Sequence, residues 1–238
     1  MNNKYEIIKV NSIPSTNLFL KENYDDFNEF TVLICENQSE GRGRMGRVWF
    51  SSEDNIALSI LLKPDNYVNI SNISLVVGAS VYNTLNRYVK CSIKWPNDII
   101  VNDKKICGIL LEAISSSEIE AVIVGIGINV NQVKFDEDIK NKATSLKLEL
   151  NKDFDKDEII NSLINDLDYL YTDFLNGGNK YMEIIRNNFY LKDKEGFINS
   201  KEKVKIIDID NDGKLIVLKN GKIEKLNSGE ITLEQFYK

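Results

Sequence analysis

Nine consecutive residues, Gly41-Arg42-Gly43-Arg44-Met45-Gly46-Arg47-Val48-Trp49, combine glycines, arginines and a closing tryptophan. Glycine lets backbone come close to a bound molecule. Arginine carries a permanent charge on a fork of donors that fits carboxylate or phosphate, and tryptophan offers a flat face to a base or ring. Such a loop suits the grip of a small anion with an aromatic part. Three further groups could do chemistry: Ser15-Thr16-Asn17; Lys94-Trp95-Pro96-Asn97-Asp98, continuing to Lys105 and Gly108; and Gly125-Ile126-Gly127-Ile128-Asn129-Val130-Asn131. Gln38 stands just ahead of the loop.

Each group also has a plainer reading. Ser15-Thr16-Asn17 after Pro14 is a helix start. The arginine/glycine loop could be an RNA-binding RG segment, but it occurs once in a chain of net charge −6, which argues against broad nucleic-acid binding. Lys94 to Asp98 reads as a hairpin turn with Trp95 in the core, and Lys105 as a solvated lysine at a strand end. Gly125 to Asn129 lacks the full GxGxxG and the following helix of a dinucleotide site.

Composition removes several chemistries. The chain has no histidine, which excludes Ser-His-Asp and Cys-His machinery and histidine-ligated zinc. Cys35, Cys91 and Cys107 are far apart and form no CxxC pair, as expected of small core residues in a reducing compartment. Met1 to Val10 mixes Lys4, Glu6 and Lys9 with apolar residues and has no signal-peptide core. The longest apolar stretch, Ala121 to Ile128, is far short of the roughly 20 residues that span a bilayer. A cytoplasmic protein without membrane attachment is expected.

The elements that must position these residues follow from periodicity. Phe30 to Cys35 and Asn55 to Leu62 read as strands, the second stopped by Pro64. Ser71 to Val89 is helical, with Leu75, Ala79, Tyr82, Leu85 and Val89 on one face. Cys91 to Asn131 is a meander of strands at Ser92–Trp95, Ile99–Val101, Ile106–Ala113 and Glu120–Ile128, its short turns favouring antiparallel neighbours. Asp155 and Glu158 resemble a capping box for a helix ended by Gly177-Gly178, and a short helix covers Lys180 to Asn188. Beyond about residue 190, Val204–Ile209, Lys214–Lys219, Ile223–Leu226 and Ile231–Leu233 are short strands. Turn signals separate them at Asn211-Asp212-Gly213, Asn220-Gly221 and Asn227-Ser228-Gly229. This is a small β-barrel of roughly 50 residues, marginal alone and expected to pack on the larger domain.

Together, in order and spacing, the groups resemble the biotin–protein ligases: STN, then QxxGRGRxGRxW, KWPND, KxxGIL and GIGINV. The resemblance implies an α/β (α+β) fold, a mixed, largely antiparallel sheet flanked by helices like the class II tRNA-synthetase core, over residues 1–189, and a small C-terminal SH3-like β-barrel over 190–238. It implies two steps. Biotin's carboxylate attacks the α-phosphate of ATP, with Mg2+, to give biotinyl-5′-AMP. A lysine of a biotin carboxyl carrier protein domain then attacks the acyl carbon. Neither step needs an enzyme nucleophile, so the lack of histidine is no obstacle. Ser15, Thr16, Asn17, Gln38, Gly41, Arg42, Gly43, Arg44, Lys105 and Gly108 would serve biotin, with Arg44 and Lys105 at the carboxylate and α-phosphate. Trp49, Lys94, Asn97, Asp98 and Asn129 would serve ATP, Asn129 also the metal. The loop Arg42 to Val48 would be a lid that orders on the anion and shields the adenylate from water.

The sequence departs from the pattern at Pro14, at Ser51-Ser52-Glu53-Asp54, and around Asp208 to Asp212, where the C-terminal unit is shortened though Gly229-Glu230 remains. With the first motif at residue 15, no N-terminal helix-turn-helix and no DNA binding are expected. A lipoate–protein ligase shares the implied fold and adenylate chemistry but carries a different arginine/glycine pattern with a histidine nearby. A non-catalytic biotin- or RNA-binding module is the rival of another class.

Overall fold

The computed structural model describes residues 5–64, 70–198, 202–227 and 233–234. The turn read at Asn227-Ser228-Gly229 lies mostly outside them, as does the start of the strand read from Ile231. Two sheets make up the fold. The larger has seven strands: β1 (Ile7–Ile13), β2 (Val32–Gln38), β3 (Ile56–Leu62), β4 (Ser92–Lys94), β5 (Asp98–Val101), β6 (Lys104–Ser115) and β7 (Ile119–Ile128), in the order β1-β2-β3-β7-β6-β5-β4. Only β1 and β2 pair in parallel; every other neighbour is antiparallel.

Alternation along the strands divides this sheet into two faces. Ile56, Leu58, Ile60, Leu62, Val122, Val124, Ile126, Ile128, Cys107 and Ile109 join the main core. That face is covered by α2 (Ile70–Leu85), α4 (Lys156–Leu175) and α5 (Lys180–Asn187). On the opposite face Leu33, Leu61, Ala121 and Ile123 meet Leu20 of α1 (Thr16–Glu22) in a smaller core. α1, seven residues long, begins over Gly125 with Asn17, and the stretch of this face around Gly125 and Gly127 of β7 becomes the site.

Two elements lack a clear sequence signature. β1 is an edge strand whose residues alternate imperfectly and are mostly exposed or half-buried. α3 (Leu146–Leu150) is five residues long and is set by its cap, the Ser145 hydroxyl accepting from the Leu148 N–H. The long helix read to Val89 stops at Leu85, where Asn86 to Tyr88 turn. At Asp155 the carboxylate accepts from the N–H groups of Asp157 and Glu158, whereas the Glu158 carboxylate turns to the Tyr88 hydroxyl, so the box is closed on one side only.

The second sheet is antiparallel: β8 (Glu195–Ile198), β9 (Glu202–Ile209), β10 (Leu215–Lys219), β11 (Lys222–Leu226) and β12 (Leu233–Glu234), in the order β11-β10-β9-β8-β12. Asn220-Gly221, both at positive φ, make the two-residue turn between β10 and β11. The β9–β10 turn is folded around Asp210, whose carboxylate accepts from the N–H groups of Asp212 and Lys214 and pairs with Lys225 at 2.9 Å. This turn docks on the larger unit: the Trp95 indole donates to the Gly213 carbonyl (3.0 Å), the Asn72 amide to the Asn211 carbonyl (3.2 Å), and Arg186 to the Ile209 carbonyl (3.0 Å).

Candidate active site

Cross-strand register assembles the site. Directly opposed residues share a face, and the pairings Lys94↔Asp98, Asp98↔Gly108, Gly108↔Gly127 and Ala57↔Gly127 form one continuous row across β4, β5, β6, β7 and β3. Three motifs far apart in sequence therefore meet in a line, charged at one end and bare at the other. The next row on the same face is Leu110↔Gly125↔Ser59. The glycines keep the floor low. A Cβ on Gly127 would lie 2.2 Å from Cε2 of Trp49, and one on Gly125 would lie 2.3 Å from Oδ1 of Asn17.

Above Gly125 sits a buried polar cluster. The Ser59 hydroxyl is 2.6 Å from both Thr16 Oγ1 and Asn17 Oδ1. The Asn17 amide donates to Glu112 (2.9 Å), which fixes which end of the side chain faces Gly125. Gln38 Oε1 accepts from the Thr16 N–H (2.8 Å) and hydroxyl (3.0 Å), leaving its amide NH2 to donate elsewhere. Ser15 caps α1 by accepting from the Leu18 N–H (3.4 Å). Neither Ser59 nor Glu112 belongs to the motifs. A serine amid the apolar run of β3, fully buried, is the sequence signal for the first; Glu112 has none beyond its place two residues after Leu110.

The arginine/glycine run folds as a hairpin lying over these rows. Trp49 N–H donates to the Gly41 carbonyl (2.9 Å), Gly43 N–H to the Arg47 carbonyl (2.8 Å), and Arg42 bridges to Val48. Met45 and Gly46 take positive φ at the tip. Gly41 must be glycine for packing: a Cβ there would sit 2.2 Å from the Trp49 carbonyl oxygen. The hairpin lays the Trp49 ring on Gly108 and Gly127, with the Lys105 ammonium 5.5 Å from the ring centroid. Trp49 Nε1 is buried with no hydrogen-bond partner among the described residues.

Charge gathers at the other end of the row. Arg44, half-buried, donates to Asn97 Oδ1 (3.1 Å), and Asn97 in turn donates to the Ile109 carbonyl (2.7 Å). Lys105 pairs with Asp98 at 2.6 Å. Burial lowers the Arg44 pKa, with Asp98 opposing and Arg47 adding to the effect. Lys94 is 5% exposed, and burial pushes its pKa down to about 8; Asp98 opposes this, while Lys105, Lys194 and Arg47 push the same way. A buried cation with cations on several sides favours an incoming anion.

Two adjoining cavities result. The first, of about 50 Å3, is lined by Ser15, Thr16, Asn17, Gln38, Arg44 and Gly108, among others, and Trp49 divides it from the second. The second, of about 220 Å3, lies between Val48–Phe50 and the segment 129–143, with Asp98 and Lys105 also in its lining. Asn129 lines it, its amide held by the Thr144 carbonyl (3.0 Å). Lys94 reaches neither lining, standing behind Asp98, and Trp95 turns away into the core and the C-terminal sheet. The described residues contain no group of three Cys, Asp or Glu placed to hold a metal ion. Asp98, the carboxylate in the lining of this cavity, is already held by Lys105.

Comparison with known proteins gives the family and the fold. Residues 7–129 match the biotin/lipoate A/B protein ligase family, and residues 199–233 match the biotin protein ligase C-terminal domain. The bifunctional ligase/repressor BirA of Bacillus subtilis is 32% identical over 216 residues, a match spanning 86% of this chain and 66% of that protein. The biotin protein ligase of Aquifex aeolicus, solved in complex with biotin and ATP, superposes with a TM-score of 0.86 at 31% identity, covering 97% of this chain and 99% of that one. The Leishmania major biotin protein ligase, solved with biotinyl-5-AMP, shares the fold at a TM-score of 0.62 and 20% identity over 94% of this chain and 99% of that one. With its glycine floor, arginine hairpin and C-terminal sheet, the chain belongs to the biotin/lipoate A/B protein ligase family.

Proposed function

We propose that this chain activates biotin with ATP to biotinyl-5′-AMP and transfers the biotinyl group to a lysine of a biotin carboxyl carrier protein domain. The observation that carries the reading is the row Lys94–Asp98–Gly108–Gly127–Ala57, which sets a cationic end beside two cavities that share the Trp49 ring. The first cavity, with its apolar floor and the amide and hydroxyl groups of Ser15, Thr16, Asn17 and Gln38, suits the ureido ring and valeryl chain of biotin. The second, with Asn129 and one side of Trp49, suits the nucleotide. Lys105 lines both cavities and Arg44 the first, and these two are the catalytic candidates.

Each step is displacement by a group the substrates bring. The carboxylate oxygen of biotin attacks the α-phosphorus, and pyrophosphate leaves with the bonding electrons. The unprotonated carrier amine then attacks the acyl carbon, AMP leaves, and the amine gives up a proton. The chain holds two anions together and balances charge on phosphate oxygens. Arg44, steadied by Asn97, and Lys105, steadied by Asp98, supply fixed positive charge, and the hairpin over them keeps water from the mixed anhydride. Among the described residues no three Cys, Asp or Glu gather to hold a metal ion, so Mg2+ enters as part of the MgATP substrate.

Three free, buried cysteines are in keeping with a cytoplasmic enzyme, and no described helix is long and apolar enough to cross a membrane. ATP–pyrophosphate exchange with biotin, with lipoate and with neither tests the reading. Exchange that requires biotin is expected. Exchange with lipoate would assign the chain to lipoate ligation, and none with either would reduce it to a binding module.

A further inference from the structure

The second cavity has walls from two distant stretches of chain: the Val48–Phe50 end of the hairpin, and the segment 129–143 after β7. A buried polar clamp ties the chain just after the first wall to the second wall, where Gln132 is itself part of the lining. Asn55, 2% exposed, stands between the hairpin and β3. Its Oδ1 accepts from the Val130 N–H (3.1 Å), and its amide donates to Gln132 Oε1. Gln132, itself buried, donates to the Lys134 carbonyl (2.7 Å) and accepts through its backbone carbonyl from the Ser145 hydroxyl that caps α3. A backbone bond from the Asn131 N–H to the Asp54 carbonyl (2.8 Å) runs alongside. Asparagine offers an acceptor and a donor on one short stem, and both are used here.

We infer that Asn55 is a positioning residue for the nucleotide: by holding Val130 and the Gln132 side chain that lines the second cavity, it fixes the 129–143 wall and thereby the affinity for ATP, without touching the nucleotide or acting on biotin. The inference rests on the adenylation reading above. The separation follows from connectivity. The clamp bonds reach Val130, Lys134 and Ser145, all in or beside the 129–143 wall. The biotin cavity is instead organised by Thr16, Asn17, Gln38, Ser59 and Glu112, none of which bonds to Asn55 or Gln132.

The test uses the full chain with Asn55→Ala, Gln132→Ala and the double variant. Biotin-dependent ATP–pyrophosphate exchange gives KM for ATP and kcat, and calorimetry without nucleotide gives Kd for biotin. Loss of a buried hydrogen-bonded pair is expected to raise KM for ATP about tenfold. The kcat should stay within about threefold and the biotin Kd within about twofold, and the double variant should be little worse than Asn55→Ala, because the pair acts as one unit. A folded variant with unchanged KM for ATP overturns the inference, as does a biotin Kd that rises in step with KM, which would mean general loosening. Should Asn55→Ala not fold, Asn55→Ser, which shortens the stem and loses the reach to Val130 and Gln132, carries the same expectation. Wild-type protein without biotin-dependent exchange overturns the adenylation reading and this inference with it; a working wild type beside unchanged variants overturns the inference alone.

Discussion

Lys94 is held in the folded protein at a cost, and removing its charge should stabilise the chain. Burial moves its pKa from 10.5 to about 8, which corresponds to about 3 kcal/mol against the charged form. Between pH 8 and 10.5 the unfolded chain binds a proton at this position that the folded chain does not, so stability rises with pH across that window. Below pH 8 both states are protonated and the penalty is present in full. Lys94→Met is therefore expected to raise stability at pH 7 by about 1–3 kcal/mol. Asp98 keeps Lys105 as a partner at 2.6 Å and is not left as a lone buried charge. At roughly 2–4 °C per kcal/mol for a chain of this size, Tm should rise by several degrees. The gap between variant and wild type should close as pH is raised from 8 to 10.5; taking the difference cancels other groups that titrate there. Differential scanning calorimetry of both proteins over that range is the assay. A variant no more stable than wild type at pH 7, or a gap that stays constant to pH 10.5, would refute the reasoning. If Lys94 serves the nucleotide, the same variant should also gain less Tm from ATP than wild type does.

Gly125→Ala should weaken biotin at least tenfold by calorimetry, because its Cβ would lie 2.3 Å from an Asn17 oxygen whose amide is tied to Ser59 and Glu112 and has nowhere to move; unchanged biotin affinity would mean that Asn17 is not the fixed wall described. Gly127→Ala should displace the Trp49 ring, seen as a change in tryptophan emission and a rise in KM for ATP, whereas an unaltered spectrum and KM would place the ring's function elsewhere. Arg44→Ala removes the charge bonded to Asn97 and should release free biotinyl-AMP into solution, so chromatography showing no more than wild type counts against Arg44 as part of the closing surface.

The meander from Cys91 to Asn131 was legible because its strands alternate and its turns carry Pro96-Asn97-Asp98 and Asn102-Asp103, local signals that survive folding. β1 was not: it gains its place by pairing in parallel with β2, a long-range contact that leaves little pattern in seven half-exposed residues. Within the site, the motifs named the residues but not their register. That Gly108 faces Gly127, and Asp98 faces Gly108, depends on how far each strand slides past the next, including the bulge between Ile99 and Ile100. Ser59, Glu112, Asn55 and Gln132 were beyond reach for a related reason. Each is an ordinary polar residue whose importance comes from a partner at least twenty residues away.

The structural and functional readings of the motifs also turn out not to compete, because a strand has two sides. In Gly125-Ile126-Gly127-Ile128 the isoleucines fill the main core while the glycines clear the floor of the site. In Lys105 to Leu110, Cys107 and Ile109 pack inward while Gly108 lies under Trp49. In Lys94 to Asp98, Trp95 leaves for the core and the Gly213 carbonyl, while Asn97 steadies Arg44 and Asp98 steadies Lys105. A period of two lets one short segment fix the fold on one face and the chemistry on the other. This links the faces mechanically: a substitution on the core side of these strands, such as at Val124 or Cys107, which line neither cavity, is expected to shift the glycine rows and to be felt at the site. Distance from the substrates is therefore a poor guide to which residues of the sheet matter, and position along the row is a better one.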